Sequence, residues 1–350
     1  MVIYINSHKH GGDIYRNKNV IDFSANCNPF GTPDSVKKAV ALSMERISDY
    51  PDTQCEELIK ALSEYEDIPE EYFICGNGAA DLIFQIALAK GPSKALIPAP
   101  TFAEYEQALA TVKCGIERYY LKEENDFVPD ESILDMITDD IDIMFICNPN
   151  NPTGVITEQK LLLKILEKCS EKNVFLVLDE CFTDFLDDPS ANTLKAMLKE
   201  YRNLFILKAF TKRYAMAGIR LGYGLTSDSS LISRMNEISQ PWNVSVLAQA
   251  AGVAALKEEE YVKTSMEYLK KEREFLNEGI KEAGFKTYNS KANYIFFKAD
   301  ENLYDYCLEK GILIRNCGNY HGLEKGYYRV AVKLRKDNEK LIKILKEYEV

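Results

Sequence analysis

Between about residues 45 and 240, short apolar runs alternate with stretches of helical periodicity, and this alternation constrains the fold more than any other feature of the chain. The runs are YFIC (72–75), ALIPAP (95–100), IMFIC (143–147), VFLVL (174–178) and LFIL (204–207). Between them, Leu82, Ile83 and Ile86 mark one helical face, and Leu162, Leu163, Ile165 and Leu166 mark another. Such βαβ alternation predicts an α/β fold with a mostly parallel sheet covered by helices on both faces. Ligands of such sheets lie beyond the carboxyl ends of the strands.

The flanks read differently. Residues 1–44 form an irregular arm with two turn-rich pieces, HGG (10–12) and NCNPFG (26–31). After Pro241, a charged helical stretch from about Ala255 to Gly284 leads into strand-like NYIFFK (293–298), ILIR (312–315) and YYRVAVK (327–333). With 350 residues the chain exceeds a single domain of about 150 residues. The expected organisation is an arm over 1–44, a large unit over 45–240 and a smaller α+β unit over 241–350 that shares the arm.

The net charge of −11 argues against nucleic acid as a partner, because neutralising phosphates needs a basic face. A small anion remains possible, since two or three placed cations suffice. The first residues lack the apolar core of a signal peptide, and no apolar run approaches the ~20 residues of a membrane span. Nine cysteines without a C-x-x-C pair read as thiols in a reducing cytoplasm, with neither disulfides nor a zinc site. Three histidines leave no material for a histidine-rich metal centre.

Four strand ends carry residues able to do chemistry. In YFICGNGAADLIF (72–84), free N–H groups of Gly78, Ala79 and Ala80 at a helix start would cradle a phosphate, although an ordinary turn reads the same way. In ICNPNNPTG (146–154), Pro149 and Pro152 bracket Asn150 and Asn151 and forbid helix. The buried run VFLVL leads straight into Asp179, an acid that is costly there unless paired. It would pair with a cationic ring N–H, or simply cap the following turn. In LFILKAFTKRYAMAGIRLGYG (204–224), Lys208 and Lys212 both follow a strand end, with Arg220 beyond them. A desolvated lysine amine attacks carbonyls, and chemistry alone does not choose between these two.

GNG (76–78), NPNNPTG (148–154), Asp179 and TKRYAMAGIRLG (211–222) occur in the order and spacing of class I/II aminotransferases, the fold-type I pyridoxal-phosphate enzymes. The resemblance implies the aspartate aminotransferase-like fold and pyridoxal 5′-phosphate as cofactor. It is most specific toward the threonine-phosphate decarboxylase group, relatives of the histidinol-phosphate aminotransferases. That likeness rests on HGGD (10–13), DFSANCNPFG (22–31), YPD (50–52), PTFAEYEQAL (100–109), DECFTDF (179–185), PWNVSVLA (241–248), SKANYIFF (290–297) and IRNCGNYHGLEKGYYRVAVK (314–333).

Carried over position by position, the resemblance implies that Lys212 carries the cofactor covalently. Thr211, Arg220 and the amides of Gly78, Ala79 and Ala80 would hold its phosphate. Asp179 would pair with the pyridinium N–H, Asn151 with the ring oxygen, and Phe102 would stack on the ring face. Tyr50 would reach the cofactor phosphate of a neighbouring subunit, which implies a homodimer with shared sites and a subunit contact for the arm. Arg329 would grip the substrate carboxylate, and His10, Asn26 and Arg315 would receive the phosphate of a phosphorylated amino acid. Each has a plainer alternative: Phe102 as core, His10 as a solvated arm residue, Arg315 in a surface ion pair.

Three positions depart from the pattern. Ala209 stands where relatives usually carry a hydroxyl, Phe182 where most histidinol-phosphate aminotransferases carry tyrosine, and Lys333 where the decarboxylases tend to have arginine. The implied reaction is decarboxylation of L-threonine O-3-phosphate to (R)-1-aminopropan-2-yl phosphate, a step of cobalamin biosynthesis. Histidinol-phosphate transamination with 2-oxoglutarate is the alternative. A non-catalytic regulatory relative would lack the lysine or carry a DNA-binding module, and neither holds here.

Overall fold

The computed structural model describes residues 10–348, so the first nine residues of the arm lie outside the described residues. After β1 (Ile21–Asp22) come the seven strands of the large sheet: β2 (Phe73–Gly76), β3 (Lys94–Ala99), β4 (Gly115–Tyr120), β5 (Ile143–Cys147), β6 (Phe175–Asp179), β7 (Leu204–Ala209) and β8 (Gly222–Leu225). Their spatial order is β2-β8-β7-β6-β5-β3-β4, and only the pairings made by β8 are antiparallel. The mostly parallel sheet expected from the alternation is therefore present.

Its inner strands are buried on both faces, which is why they read as unbroken apolar runs. Side chains of a strand alternate, and two cores result. Leu96, Met144, Ile146, Leu176, Leu178, Leu204 and Ile206 enter one; Ala95, Ile97, Ile143, Phe145, Phe175, Val177, Phe205 and Leu207 enter the other. The first core is covered by α1 (Asp34–Ser43), α2 (Glu56–Glu66) and α5 (Gln159–Glu171), the second by α3 (Ala79–Lys90), α4 (Glu104–Thr111) and α7 (Ser229–Ile238). In α5, Leu162, Ile165, Leu166 and Cys169 supply the buried face at i, i+3, i+4 and i+7. A single turn, α6 (Phe210–Arg213), follows β7.

The C-terminal part begins with α8 (Val246–Ala255), capped by Ser245, and continues with α9 (Glu259–Glu282). A second sheet of order β12-β13-β10-β9 follows, built from β9 (Lys286–Thr287), β10 (Tyr294–Lys298), β12 (Arg315–Asn316) and β13 (Tyr327–Ala331). Between them lie α10 (Leu303–Glu309) and β11 (Ile312–Leu313), and α11 (Arg335–Lys346) closes the chain. The arm joins this part through β1, which pairs in parallel with β11, and through Phe23 in its core. Two helices from outside residues 45–240 also pack into the core of the large sheet, through Val36 of α1 and Ala248, Ala251 and Ala255 of α8. Among the described residues, no helix is long and apolar enough to cross a membrane.

Truncating Leu176, fully buried on the central strand β6, to alanine should cost about 3 kcal/mol by creating a cavity. Leu88, 49% exposed on α3, should cost less than about 0.5 kcal/mol when truncated. Urea midpoints of the two variants check this, and equal midpoints would contradict the two-core packing.

Candidate active site

Strands β2, β3, β5, β6 and β7 all end on one side of the sheet, and their carboxyl ends surround a cavity of about 350 Å³. Of the residues expected to act, His10, Asn26, Ala79, Ala80, Phe102, Asn151, Asp179, Thr211, Lys212, Arg220, Arg315 and Arg329 line it. These come from positions scattered over three hundred residues, and the fold gathers them.

The turn after β2 is shaped by Gly78. Its φ of 86° is left-handed, and a Cβ there would lie 2.5 Å from Nη2 of Arg220. The absent side chain lets the guanidinium lie against the start of α3. The helix has no side-chain cap; the expected Gly78 N–H is taken by the Gly76 carbonyl at 2.7 Å and that of Asp81 by the Gly78 carbonyl at 3.2 Å, which leaves the N–H groups of Ala79 and Ala80 to meet an anion. Arg220 itself has φ 62°, an uncommon conformation for a branched-out residue and one that recurs at ligand sites.

Beyond β3, Phe102 borders the cavity and packs edge-on against Tyr105, with ring centroids 5.6 Å apart. Tyr105 is fully buried and donates from its hydroxyl to Oδ2 of Asp179 at 2.6 Å. The Cys181 amide donates to Oδ1 at 2.9 Å, so Asp179 does cap the following turn while its carboxylate borders the cavity. Burial pushes the Asp179 pKa up, against the pull of these two donors. A cation beside it would settle the charge.

The two asparagines after β5 separate by role. Asn150 is held within the loop, accepting from Thr101 at 2.8 Å and donating to Pro100 at 3.0 Å. Asn151 reaches the cavity, where its Oδ1 accepts a hydrogen bond from Nη1 of Arg329.

The two lysines after the β7 strand also part. Lys208 is buried 3.1 Å from Glu66 and 3.8 Å from Asp184, which hold its pKa well above the ordinary value although burial opposes them. Lys212 opens into the cavity. Desolvation lowers its pKa; Cys27 and Cys181 oppose this, while Arg329 and Arg220 add to it. A lysine in that setting reaches its neutral, nucleophilic form more readily.

At the far side, Arg315 and Arg329 are cross-strand partners on β12 and β13. Arg315 donates to Oδ1 of Asn319 at 2.9 Å and lies over Tyr320; Arg329 donates to the Ser24 carbonyl at 3.0 Å and lies over Tyr294. Both are nearly fully buried, and among the described residues no carboxylate lies within 4.0 Å of either. The ion pair that offered a plainer reading of Arg315 is not formed. Nε of Arg329 and Nδ2 of Asn26 are buried donors without a hydrogen-bond partner.

Tyr50 is not in this cavity. It is 75% exposed and stacks on Trp242 at 4.3 Å. Glu104, Tyr105, Asn319 and Tyr320 were not singled out from the sequence. All but Tyr105 line the cavity, and Tyr105 stands behind Asp179. Their only sequence signal is that they fall inside PTFAEYEQAL and IRNCGNY.

These features fit a phosphate-bearing aromatic cofactor: a glycine-shaped helix start with an arginine against it, a buried acid lacking its cation, a ring-sized aromatic wall and a desolvated lysine. Residues 18–345 match the family model "Aminotransferase class I and II", so the chain belongs to this family, whose cofactor is pyridoxal 5′-phosphate, and the fold is that of the aspartate aminotransferases. Among its relatives is threonine-phosphate decarboxylase of Salmonella typhimurium, 37% identical over 349 residues that cover 96% of this chain and 95% of that protein. Histidinol-phosphate aminotransferase of Methanosphaera stadtmanae is 31% identical over 342 residues, 94% of this chain and 90% of the relative. The crystal structure of the histidinol-phosphate aminotransferase from Clostridium acetobutylicum superposes with a TM-score of 0.87 at 32% identity, covering 93% and 98% of the two chains.

Lys212→Ala should lose the visible absorbance of lysine-bound cofactor and reduce turnover about a thousandfold or more. Lys208→Ala should keep that band but cost about 3 kcal/mol, because Glu66 loses a buried partner. A band that survives the first substitution and vanishes in the second would move the attachment to Lys208.

Proposed function

We propose that the protein decarboxylates L-threonine O-3-phosphate, releasing CO₂ and (R)-1-aminopropan-2-yl phosphate, as a step of cobalamin biosynthesis. The observation that carries this reading is the pair of buried arginines, Arg315 and Arg329, facing each other across two strands with no carboxylate within 4.0 Å among the described residues. With Arg220 on the cofactor phosphate, they answer a substrate that brings two anions of its own. The relation to the Salmonella enzyme and Phe182 at the cavity wall support the same choice.

The assignments of individual residues belong to this proposal. Ala79, Ala80, Thr211 and Arg220 hold the cofactor phosphate, Asp179 the ring nitrogen, Asn151 the ring oxygen, and Phe102 the ring face. When bound, pyridoxal phosphate supplies an electron sink for the bond broken at Cα. Arg329 takes the α-carboxylate, while Arg315, Asn26 and His10 take the phosphate, and the two grips fix how the carboxylate is turned. After CO₂ leaves, Lys212 delivers the proton that replaces it on Cα. We divide the chain into a cofactor-binding unit around the large sheet and a smaller unit around the second sheet, joined by the arm. The nine free thiols support a cytoplasmic setting.

A second reading, transamination of histidinol phosphate, is supported by the aminotransferase relatives at 31–32% identity. Supplying O-phosphothreonine, O-phosphoserine and histidinol phosphate separately to the holoenzyme distinguishes the two. We expect CO₂ release from O-phosphothreonine. No CO₂ from either phosphoamino acid would sink the decarboxylase reading, and conversion of the cofactor to its amine form by glutamate would favour the second.

We also propose a homodimer in which Tyr50 reaches the partner's cofactor phosphate. Its exposure, with Ile47, Met44 and Trp242 exposed beside it, supports this face as the contact. Sedimentation velocity should give twice the 39.9 kDa chain mass, and Tyr50→Ala should weaken cofactor retention. A monomer that retains cofactor would contradict the shared site.

A further inference from the structure

Glu104 is an acid of the cavity that the mechanism above leaves unused. It opens α4, two residues beyond Phe102. Its side chain is 11% exposed; Oε1 lies 3.0 Å from Nδ1 of His10, and Oε2 is buried without a hydrogen-bond partner among the described residues. A carboxylate beside the place assigned to a phosphate dianion repels it, and the low-dielectric wall magnifies that repulsion. The arrangement becomes favourable only with a cation standing between the two anions. His10 occupies that place, since it borders both Glu104 and the cavity containing Asn26 and Arg315. The two nitrogens of an imidazole point in divergent directions, so a ring held at Nδ1 by Glu104 offers Nε2 to something else. Among the described residues, Nε2 of His10 has no hydrogen-bond partner.

We propose that Glu104 is a positioning residue that holds His10 as an imidazolium through Nδ1, so that Nε2–H donates to the phosphoryl group of the substrate. This deepens, and rests on, the phosphorylated-substrate reading above. It gives the cavity a relay of carboxylate, imidazolium and phosphate in place of a further arginine. A charge held this way is set by one carboxylate oxygen on another element, so the site tells a phosphate ester from an unphosphorylated amino acid partly through Glu104.

The electrostatic surroundings agree in sign. Donation from Nδ1–H to the Glu104 carboxylate raises the His10 pKa above 6.5; burial opposes it, the Glu104 charge adds to it, and Arg315 opposes it. Among the described residues, the other charged groups lining the cavity and its mouth are the Asp13–Arg16 pair at 3.1 Å, the Glu301–Lys325 pair at 2.8 Å, Asp305, Asp179, Lys212, Arg220 and Arg329, with Tyr15, Tyr304, Tyr320, Cys147 and Cys181 as the other titratable groups. The two pairs neutralise themselves, and of all these groups Glu104 and Arg315 are the principal influences on the ring. A raised pKa means that phosphate binding through His10 is present below it and fades as pH rises through it. Replacing Glu104 by glutamine leaves burial and Arg315, both of which lower the value, so the proton should be lost at lower pH.

The chain has three histidines, which makes the ring directly observable. In holoenzyme labelled at histidine, the His10 ring signal, identified by its loss in His10→Gln, should titrate at lower pH in Glu104→Gln than in the parent. Inorganic phosphate should bind more weakly to that variant at neutral pH. KM for O-phosphothreonine should rise about tenfold, the loss of one charge-assisted hydrogen bond, with a smaller change in kcat. On a His10→Gln background, Glu104→Gln should add nothing further. Should the glutamine variant lose its cofactor, Glu104→Asp, which keeps the charge but withdraws it, should shift the titration in the same direction by less. An unmoved His10 titration, or additive effects of the two substitutions, would overturn the proposal. The ring titration and phosphate affinity are read without turnover, so they fail or hold separately from the decarboxylation assay.

Discussion

Asp179 brings a carboxylate to the end of β6, where water scarcely reaches it, and much of the site is arranged around that acid. Burial favours its neutral form, while the Tyr105 hydroxyl and the Cys181 amide favour the ionised one. Among the described residues it has no ion pair, so the missing contribution is a cation, and the ring N–H of the cofactor is of the right kind. Tyr105 cannot move to accommodate anything else. It is stacked on Phe145 of β5 at 4.9 Å and packed edge-on by Phe102. The residue that fixes the acid thus also braces Phe102, and the ends of β3, β5 and β6 are held together.

Lys208 and Lys212 lie four positions apart, yet they have opposite electrostatics because the chain turns from strand to helix between them. Lys208 enters a buried network in which Glu66 also meets Lys195 and the Tyr223 hydroxyl. Burial pushes the Glu66 pKa up, but Lys208, Tyr223 and Lys195 outweigh it and draw it down to about 2. Its contribution to stability is therefore fully present above the ordinary 4.5 and is lost as pH falls from there through about 2. Asp184 in the same network takes Arg213 at 3.1 Å, which anchors the residue beside Lys212 on the side away from the cavity. Lys212 is left among Arg220 and Arg329 with no carboxylate, so its proton is held less firmly.

The interior of the large sheet was legible because strands buried on both faces write themselves as apolar runs. The edge strand β4, GIERYY, was not, since its half-exposed polar residues carry no such signature, and neither was the glycine-rich β8. Residues at strand ends were legible because acids, lysines and paired asparagines are out of place after an apolar run. Glu104 escaped because an acid in the first turn of a helix is ordinary there, being favoured by the helix dipole. Its meaning depends on His10, ninety-four positions earlier, and sequence spacing holds no trace of that contact. The placing of α1 and α8 against the large sheet was hidden for the same reason: each packs far from where the chain's periodicity changes.

The arm explains why the second sheet belongs to the site at all. Asn28 donates from its backbone to the Lys212 carbonyl and from its side chain to that of Arg213. Four and five residues earlier, the Ser24 carbonyl accepts from Arg329 and the Phe23 carbonyl from Ala331 of β13. Residues 23–28 therefore tie the lysine turn to the strand that carries an anion grip. That grip is itself incomplete as it stands: Arg315 and Arg329 face each other across strands, and like charges in that register repel. Tyrosine faces and carbonyl oxygens soften the repulsion without supplying negative charge. A ligand with one anion relieves one guanidinium; a ligand with two, spaced like a carboxylate and a phosphate on adjacent carbons, relieves both. On the proposed reading, selectivity for a doubly anionic amino acid would follow from this repulsion, and the hydrogen bonds of residues 23–28 hold β13 and the lysine turn in one frame.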